Sequence, residues 1–538
     1  MTELLTIKEA SQWASEYLNK DITNSNISYL IQYGKLKKYG ANGKPSVNKY
    51  DLISYYDSYT HQRKADWKQR LGDDLNWDLS FDYLKEKETT KHVHRLHPYK
   101  GKFIPQLVEY FLDTHTDNFK KQVYFKEGDI VLDPFAGSGT TLVQACELGI
   151  HALGIDVSHF NALISNVKVG KVDFEDLEKE VCNITLQLKH FISSKNNVQF
   201  ENELLKELIL FNKQYFPSPK YKVKVKQKEI NEKEYATEKE VRFSQIYNDL
   251  LGQYEIEAKN ENPKHFLEKW YLKPVKIEID FVFDRIQRIK NTNTKKIVMI
   301  ILSRTIRSCR ATTHADLATL KEPVTQTYYC RKHGKICKPI FSILSWWERY
   351  SKDTIKRLDD FSRLRTETHQ YCIQGDARCA EVLSNPIIKN AILKTKHLSH
   401  QVPTALFKLI REQKVRGIFS SPPYVGLIDY HEQHAYAYDL FGLERSDENE
   451  IGPLNKGQGK KAREWYVEGI SDVLSNSKTI LQPDYDVFLV ANDKYGLYPT
   501  IAEKSGMKIV NQHKRPVLNR TEKDKSPYAE IIFHLKER

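Results

Sequence analysis

"EGDIVLDPFAGSGTTLVQACELGIHALGIDVS", running from Glu127 to Ser158, restricts the architecture more than any other stretch of the chain. A β-prone apolar run, a glycine-rich loop, a segment with helical apolar spacing and a second β-prone run follow one another without a break. This order predicts strand, loop, helix and strand, the opening of a parallel α/β sheet. The glycines between Asp133 and Thr141 let the backbone approach a ligand closely, and the N-terminus of the helix that follows favours a negative group. Asp156 closes the second strand, 156 − 133 = 23 residues after Asp133. In a doubly wound sheet an acid at that place reaches ribose hydroxyls at the carboxyl edge. Loop, strand context and acid together point to an adenosine-containing ligand, and they leave a dinucleotide and other adenosine cofactors equally open.

The chain has 538 residues, 40% of them hydrophobic, enough for about three domains of ordinary size. Its longest apolar run, "IVMIIL" at Ile297 to Leu302, is far short of the roughly 20 residues that cross a bilayer. The N-terminus has no basic-then-apolar signal pattern, so the expected location is the cytoplasm. Lys and Arg number 83 against 70 Asp and Glu, a net charge of +13 that suits a polyanionic partner. Seven cysteines without regular spacing read as reduced thiols.

Along the chain, residues 1–56 open on a capping box, Thr6 with Glu9, followed by Ile7, Ala10, Ala14 and Leu18 at helical spacing. Ile27, Leu30 and Ile31 give a second helical face, Gly34 stops it, and Asn42-Gly43 turns a short basic hairpin. The segment resembles a winged helix-turn-helix of the excisionase or MerR-like kind; a helical hairpin used for protein contact is the alternative. Residues 57–90 read as a linker with one or two helices. Residues 91–200 are the expected cofactor-binding part and include an amphipathic helix with Ile104, Leu107, Val108 and Phe111 on one side. Residues 201–290 form a large insertion. Its "KYKVKVKQKE" would place Lys222, Lys224 and Lys226 on one face of a strand, either against a phosphate backbone or as guards of a solvated edge. From 291 to 538 the α/β rhythm is expected to return.

"SSPPYVGLIDY", residues 420–430, follows the β-prone "GIFS". Two prolines fix two φ angles and remove two donors, ending a strand abruptly and holding the next side chain in one direction. Taken with "DPFAGSGTT", "GID" and the "GDAR" that ends at Arg378, this stretch closely resembles the S-adenosylmethionine-dependent DNA amino-methyltransferases. The SPPY form resembles those members that methylate the exocyclic N4 of cytosine. The resemblance covers residues 91 to 538 in pieces. It implies a doubly wound, Rossmann-like methyltransferase sheet, with S-adenosyl-L-methionine as cofactor and duplex DNA as partner. Here the sheet would carry an added N-terminal helix-turn-helix domain and a large middle insertion.

Carried over by position, the resemblance implies that Asp133, Phe135, Ala136, Gly137, Ser138, Gly139 and Thr140 hold the methionine end of the cofactor, and that Asp156 takes the ribose. Asp376 would accept from the adenine amino group, and Lys102 and Phe103 in "HPYKGKF" would fold over the methionine. Ser421 and the Pro422 carbonyl would accept from the target amine beside Pro423, Tyr424 would stack on the extruded base, and Asp429 would position the amine or cap a helix. An exocyclic amine is a poor nucleophile because its lone pair is conjugated into the ring, and acceptors aimed at its hydrogens make the nitrogen more electron-rich. The base must leave the duplex to arrive there. The reading is a site-specific cytosine-N4 DNA methyltransferase, the modification enzyme of a restriction-modification system with a cognate restriction endonuclease. Adenine N6 as target and an S-adenosylmethionine-sensing DNA-binding regulator are the alternatives.

"CRKHGKIC" carries Cys330, His333 and Cys337, with Cys309 upstream as a fourth candidate ligand. The set is compatible with structural zinc, but C-x2-H-x3-C is not a standard knuckle, and the chain is read as metal-free with ordinary thiols on a turn.

Overall fold

The first helix starts where its capping box places it. The Thr6 hydroxyl accepts from the Glu9 amide at 3.3 Å while the Glu9 carboxylate accepts from the Thr6 amide at 2.8 Å, and Ile7–Tyr17 follows. The computed structural model describes residues 3–18, 22–32, 35–40, 45–99, 101–314, 320–379, 404–518 and 527–538. A second helix spans Asn24–Gln32, and strands β1 (Leu4–Thr6) and β2 (Ser46–Asn48) pair antiparallel. Ala10, Ala14, Ile27, Leu30, Val47 and Leu52 bury themselves against one another in a small core separate from that of the sheet. The expected stop at Gly34 and the turn at Asn42-Gly43 lie outside the described residues.

The central sheet is built from β3 (Ile130–Asp133), β4 (His151–Asp156), β7 (Gln370–Gln374), β8 (Val415–Ser420), β9 (Leu481–Ala491), β10 (Met507–Pro516) and β11 (Ala529–Glu537). A separate hairpin, β5 (Tyr328–Cys330) with β6 (Lys335–Cys337), lies beyond the expected insertion, between helices Thr292–Ser308 and Leu344–Ser362. The sheet order is β10-β11-β9-β8-β3-β4-β7, parallel from β7 through to β9 and antiparallel at β11 and β10. Successive side chains point to opposite faces, so one strand feeds two cores. Val131 joins Phe111, Val143 and Ile164 on one face. Ile130 and Leu132 join Phe407, Ile410 and Ile470 on the other. Helices therefore cover both faces, as a mostly parallel sheet requires. From β3, the chain adds β4 and β7 on one side and β8 and β9 on the other. The order reverses between β3 and β8, which opens a crevice outside their carboxyl ends.

Three expectations along the chain are corrected. Residues 57–90, read as a linker with one or two helices, do carry helical segments, but they pack against the sheet. Helix Lys49–Leu71 runs unbroken through the expected boundary, and Trp67 then packs edge-on to Trp77, 5.8 Å between ring centroids, beside Leu75 and Leu518. The Asn76 amide donates to the Lys514 carbonyl of β10 at 2.7 Å, so the segment is docked on the sheet edge. The lysine alternation does not make a strand either: Lys220–Lys226 is a helix, on which residues two apart share no face. Tyr221, 3% exposed, packs on Phe216 and Tyr235 there, and this burial overrides the alternating pattern. Finally, "IVMIIL" is the middle of helix Thr292–Ser308, packed between Lys273–Gln287 and Leu344–Ser362, and the α/β rhythm resumes only at β7. A fully buried helix and a buried strand read alike as short apolar runs.

Candidate active site

β3 delivers Asp133 to the carboxyl edge, and the loop after it turns through two left-handed residues, Gly137 at φ +51° and Gly139 at φ +73°. A Cβ at 137 would sit 3.0 Å from the Tyr99 hydroxyl, and one at 139 would sit 2.8 Å from Ser165 Oγ and 2.9 Å from its Cβ, so neither side chain fits. Buried side chains hold the loop's backbone from beneath. Ser165 donates to the Gly137 carbonyl at 3.2 Å, and the fully buried Lys168 ammonium donates to the Ser138 carbonyl at 2.6 Å. Burial pushes Lys168 well below its ordinary pKa.

Asp156 ends β4 beneath the same loop. Its Oδ2 accepts from the Gly137 amide at 2.7 Å, and its Oδ1 accepts from the Ser158 amide at 2.9 Å and from Asn161 Nδ2 at 3.1 Å. A carboxylate offers about four lone-pair sites, so one on Oδ2 is left over. Burial pushes Asp156 up to about 6, against the pull of those three hydrogen bonds. Asp133 is likewise raised to about 6 by burial. Two buried polar atoms beside them, Ser138 Oγ and Asn161 Oδ1, have no hydrogen-bond partner among the described residues. Buried polar atoms are rarely left unpaired, so a wall with an open carboxylate site and two unpaired oxygens suits a polar ligand rich in hydroxyl and amine donors. The adenosine and amino-acid parts of S-adenosyl-L-methionine are of that kind.

The proline segment arrives from the neighbouring strand. Ser420, the last residue of β8, donates to Asp133 Oδ1 at 2.5 Å, which ties the end of β8 to the end of β3. Ser421 and Pro423 then border the cleft. Tyr424 is half-buried beside it and donates its hydroxyl to Glu530 of β11 at 2.6 Å. Downstream, the Leu427 amide donates to the Tyr424 carbonyl at 3.3 Å, and the Gly426 amide donates to the Gly452 carbonyl at 2.9 Å, which ties the segment to the loop around Gly452.

Most of the expected residues converge on one open cleft. Lys102, Phe103, Asp133, Phe135, Ala136, Gly137, Ser138, Thr140, Asp156, Asp376, Ser421 and Pro423 all line it. Gly139, Pro422, Tyr424 and Asp429 do not; the Asp429 carboxylate accepts from the Asn455 amide at 3.2 Å, in the short 3-10 helix Leu454–Lys456. The Asp376 carboxylate is gripped by the Arg378 guanidinium, with Nη2 2.6 Å from Oδ2. Lys102 donates to the His94 carbonyl, and burial together with Arg95 and Arg357 lowers it to about 8. Sequence reasoning missed Tyr99, Asn161 and Glu450, which line the cleft together with Tyr430, a residue of the expected edge. The two tyrosines stack across it with centroids 6.1 Å apart, and both lie inside stretches already singled out. Glu450 accepts from the His431 amide at 2.8 Å and carries no local signal, because it comes from a loop placed by the fold.

Of the cysteine–histidine set, Cys330, His333 and Cys337 lie together. Cys309 is not with them: it is buried at the end of helix Thr292–Ser308, and His314 stands in the fourth place.

A cleft at the switch point of a mostly parallel sheet, with a glycine loop, a buried acid at a strand end and an SPPY turn, is the arrangement of a Rossmann-like cofactor-binding enzyme. A family profile described as DNA methylase matches residues 7–166. The chain is 46% identical over 541 residues to the type II methyltransferase M.MjaII of Methanocaldococcus jannaschii, covering 99% of this chain and 97% of that protein. Shorter similarities link it to M.MvaI of Kocuria varians, 28% over 116 residues (22% of this chain, 24% of that protein), and to M.BsoBI of Geobacillus stearothermophilus, 29% over 146 residues (25% and 27%). The chain belongs to the type II DNA methyltransferases of the N6/N4 amino-methylating family. It is a DNA methyltransferase, and its methyl donor is S-adenosyl-L-methionine. Among the described residues no helix is long and apolar enough to cross a membrane.

Proposed function

We propose that this enzyme methylates the exocyclic N4 of cytosine at a specific site in duplex DNA, as the modification partner of a cognate restriction endonuclease in the cytoplasm. The observation that carries the reading is Ser421: a serine heads the SPPY turn and borders the cleft next to Ser420, which is bonded to Asp133. S-adenosyl-L-methionine, when bound, supplies a methyl group made electrophilic by its sulfonium. Ser421 Oγ and the Pro422 carbonyl accept hydrogen bonds from the amine and favour a more tetrahedral nitrogen. Tyr424, with its hydroxyl fixed by Glu530, presents a ring whose plane is already set, and a flipped base stacks on it without ordering the side chain first. Asp156 takes a ribose hydroxyl on its remaining Oδ2 lone pair. Lys102, Phe103 and the loop from Asp133 to Thr140 hold the methionine end, and Asp376 receives the adenine amine.

Residues 1–56 act as a DNA-contacting module and the insertion reads the target sequence, in keeping with the net charge of +13. Removing residues 1–47 should weaken DNA binding and leave S-adenosyl-L-methionine affinity intact; equal DNA affinity across salt concentrations removes the module from the interface. The base is decided by methylating duplex DNA with labelled cofactor, digesting it to nucleosides and identifying the labelled product by mass spectrometry. N4-methylcytosine is expected, label on adenine N6 alone transfers the assignment to adenine, and no transfer to any DNA returns the chain to the regulator reading.

A further inference from the structure

The β5–β6 hairpin is closed by a tight turn in which the His333 and Gly334 amides both donate to the Cys330 carbonyl, at 3.1 and 2.7 Å. Gly334 is left-handed there, φ +63°, and the turn folds His333 back over the strands. His333 Nδ1 thereby lies 3.5 Å from Cys330 Sγ and 3.6 Å from Cys337 Sγ. His314, 330 − 314 = 16 residues before Cys330, brings its Nδ1 to 3.7 Å from Cys330 Sγ, and its ring meets that of His333 at 70° with centroids 4.5 Å apart. One donor atom from each of these four residues lies within 4.8 Å of all the others.

Bond lengths of about 2.3 Å to sulfur and about 2.05 Å to nitrogen give a tetrahedral zinc site a sulfur–nitrogen edge of about 3.6 Å. The three sulfur–nitrogen separations match that edge, and the widest spacing in the cluster needs roughly 1 Å of closure to do so. We propose that His314, Cys330, His333 and Cys337 hold one structural zinc ion that staples the β5–β6 hairpin to the segment following helix Thr292–Ser308.

Independent support comes from what otherwise holds this part of the chain. Its own apolar cluster consists of Tyr328, Cys330 and Cys337 with Val324 packed against them. The opposite face of the hairpin is anchored without metal, by Ile336 in the main core and by Asn212, whose side-chain amide bonds both the Ile336 carbonyl and amide, so it is the cysteine face that lacks packing and that a metal would tether. The seven cysteines among the described residues are all free. All four positions around the ion are filled by protein atoms, which leaves no open place for water and makes the site structural. Zinc replaces the two thiol protons, which go to solvent, and the two thiolates balance its charge. His314 Nδ1 also lies 2.8 Å from the Tyr328 hydroxyl, and coordination replaces that hydrogen bond. The ion would hold the exposed basic turn, Arg331 and Lys332, against helix Lys220–Lys226, where Lys222 already donates to the Lys332 carbonyl at 2.8 Å.

The test uses the full-length enzyme purified without chelator from zinc-supplemented cells, with metal measured by inductively coupled plasma mass spectrometry. About one zinc per chain is expected, falling below about a fifth in Cys330→Ser, Cys337→Ser and His314→Ala, while Cys309→Ser keeps it. Calorimetric binding of S-adenosyl-L-methionine by each variant checks that the sheet is still folded. Because a variant can lose zinc simply by misfolding, cobalt(II) added to the apo wild type is the second readout. Tetrahedral d–d bands with thiolate-to-cobalt charge transfer are expected. A wild type that holds no zinc and shows no such bands overturns the proposal. So does a folded Cys330→Ser/Cys337→Ser double variant with wild-type zinc, loss of zinc on Cys309→Ser alone, or a Cys330–Cys337 disulfide found by mass spectrometry of the protein as isolated.

Discussion

The cleft and the β5–β6 hairpin both have to hold reactive side chains in fixed positions, and they do so by different physical means. At the cleft the sheet performs the task. Asp133, Asp156 and Ser420 are terminal residues of adjacent strands, and hydrogen bonds within the carboxyl edge lock them together. The hairpin has no sheet beneath it; Ile336 anchors one side of it in the main core, and among the described residues the cysteine side has only Tyr328 and Val324 packed there. Groups on a parallel sheet inherit their spacing from strand pairing, whereas groups in a helical insertion need a local tether.

The largest effect expected of the cleft's design follows from crowding at its loop. Gly139→Val should destabilise the enzyme by about 3 kcal/mol, because a left-handed β-branched residue is strained and its Cβ meets Ser165. Gly375→Ala borders the same cleft but meets nothing within 4 Å, so it should stay within about 0.5 kcal/mol of wild type. Urea unfolding of the two variants separates a loop held by packing from one held only by its ligand; equal midpoints would contradict the former.

Asp156→Ala comes next, with an expected loss of about 1–3 kcal/mol in cofactor affinity from removing one acceptor and stranding three donors. Isothermal calorimetry measures it, and unchanged affinity would remove Asp156 from the ribose. Tyr424→Ala should slow methyl transfer through lost stacking worth about 1–3 kcal/mol, and Tyr424→Phe should lose less because the ring remains. Single-turnover rates that rank the two the other way would assign the role to the hydroxyl and Glu530.

A pH experiment tests the buried acids. Both Asp133 and Asp156 are raised by burial to about 6, so in the free enzyme they favour the folded state at low pH, and that contribution is lost as pH rises through 6. Ligand binding runs the opposite way, since a protonated Asp156 no longer accepts from a ribose hydroxyl as an anion. The rise in melting temperature caused by S-adenosyl-L-methionine should therefore shrink as pH falls from 7 to 5, and Asp156→Asn should flatten the dependence. The smallest effect is expected from Lys224→Ala, on the exposed face of helix Lys220–Lys226. Its melting temperature should not move. If this lysine contacts phosphate, the salt dependence of DNA binding should become shallower by about 0.9 in the log–log slope, and an unchanged slope excludes the contact.

Much of the cleft is legible in the amino-acid sequence, because its motifs are statements about the backbone. Glycines at 137 and 139 mark left-handed turns, Asp156 marks a strand end, and the prolines after Ser421 mark an abrupt exit from a strand. Each of these depends on residues a few positions away, as does the capping box at Thr6, which is also observed. Glu450 and His314 are not legible there, since nothing beside either of them in sequence indicates what it meets.

Local chemistry by itself determined the strand–loop–helix–strand opening, the acid at the end of its second strand, the SPPY turn and the basic charge. Tertiary structure alone decided that β8 lies beside β3, so that residues 285 positions apart (421 − 136) border one cleft. It also turned the lysine-alternating segment into a helix by burying Tyr221, carried the insertion as helices to Ser362, and exchanged Cys309 for His314. The physical reason is range. Dihedral preferences and capping act over a few residues, while strand order and burial are settled by contacts between distant segments, whose energies no local pattern records.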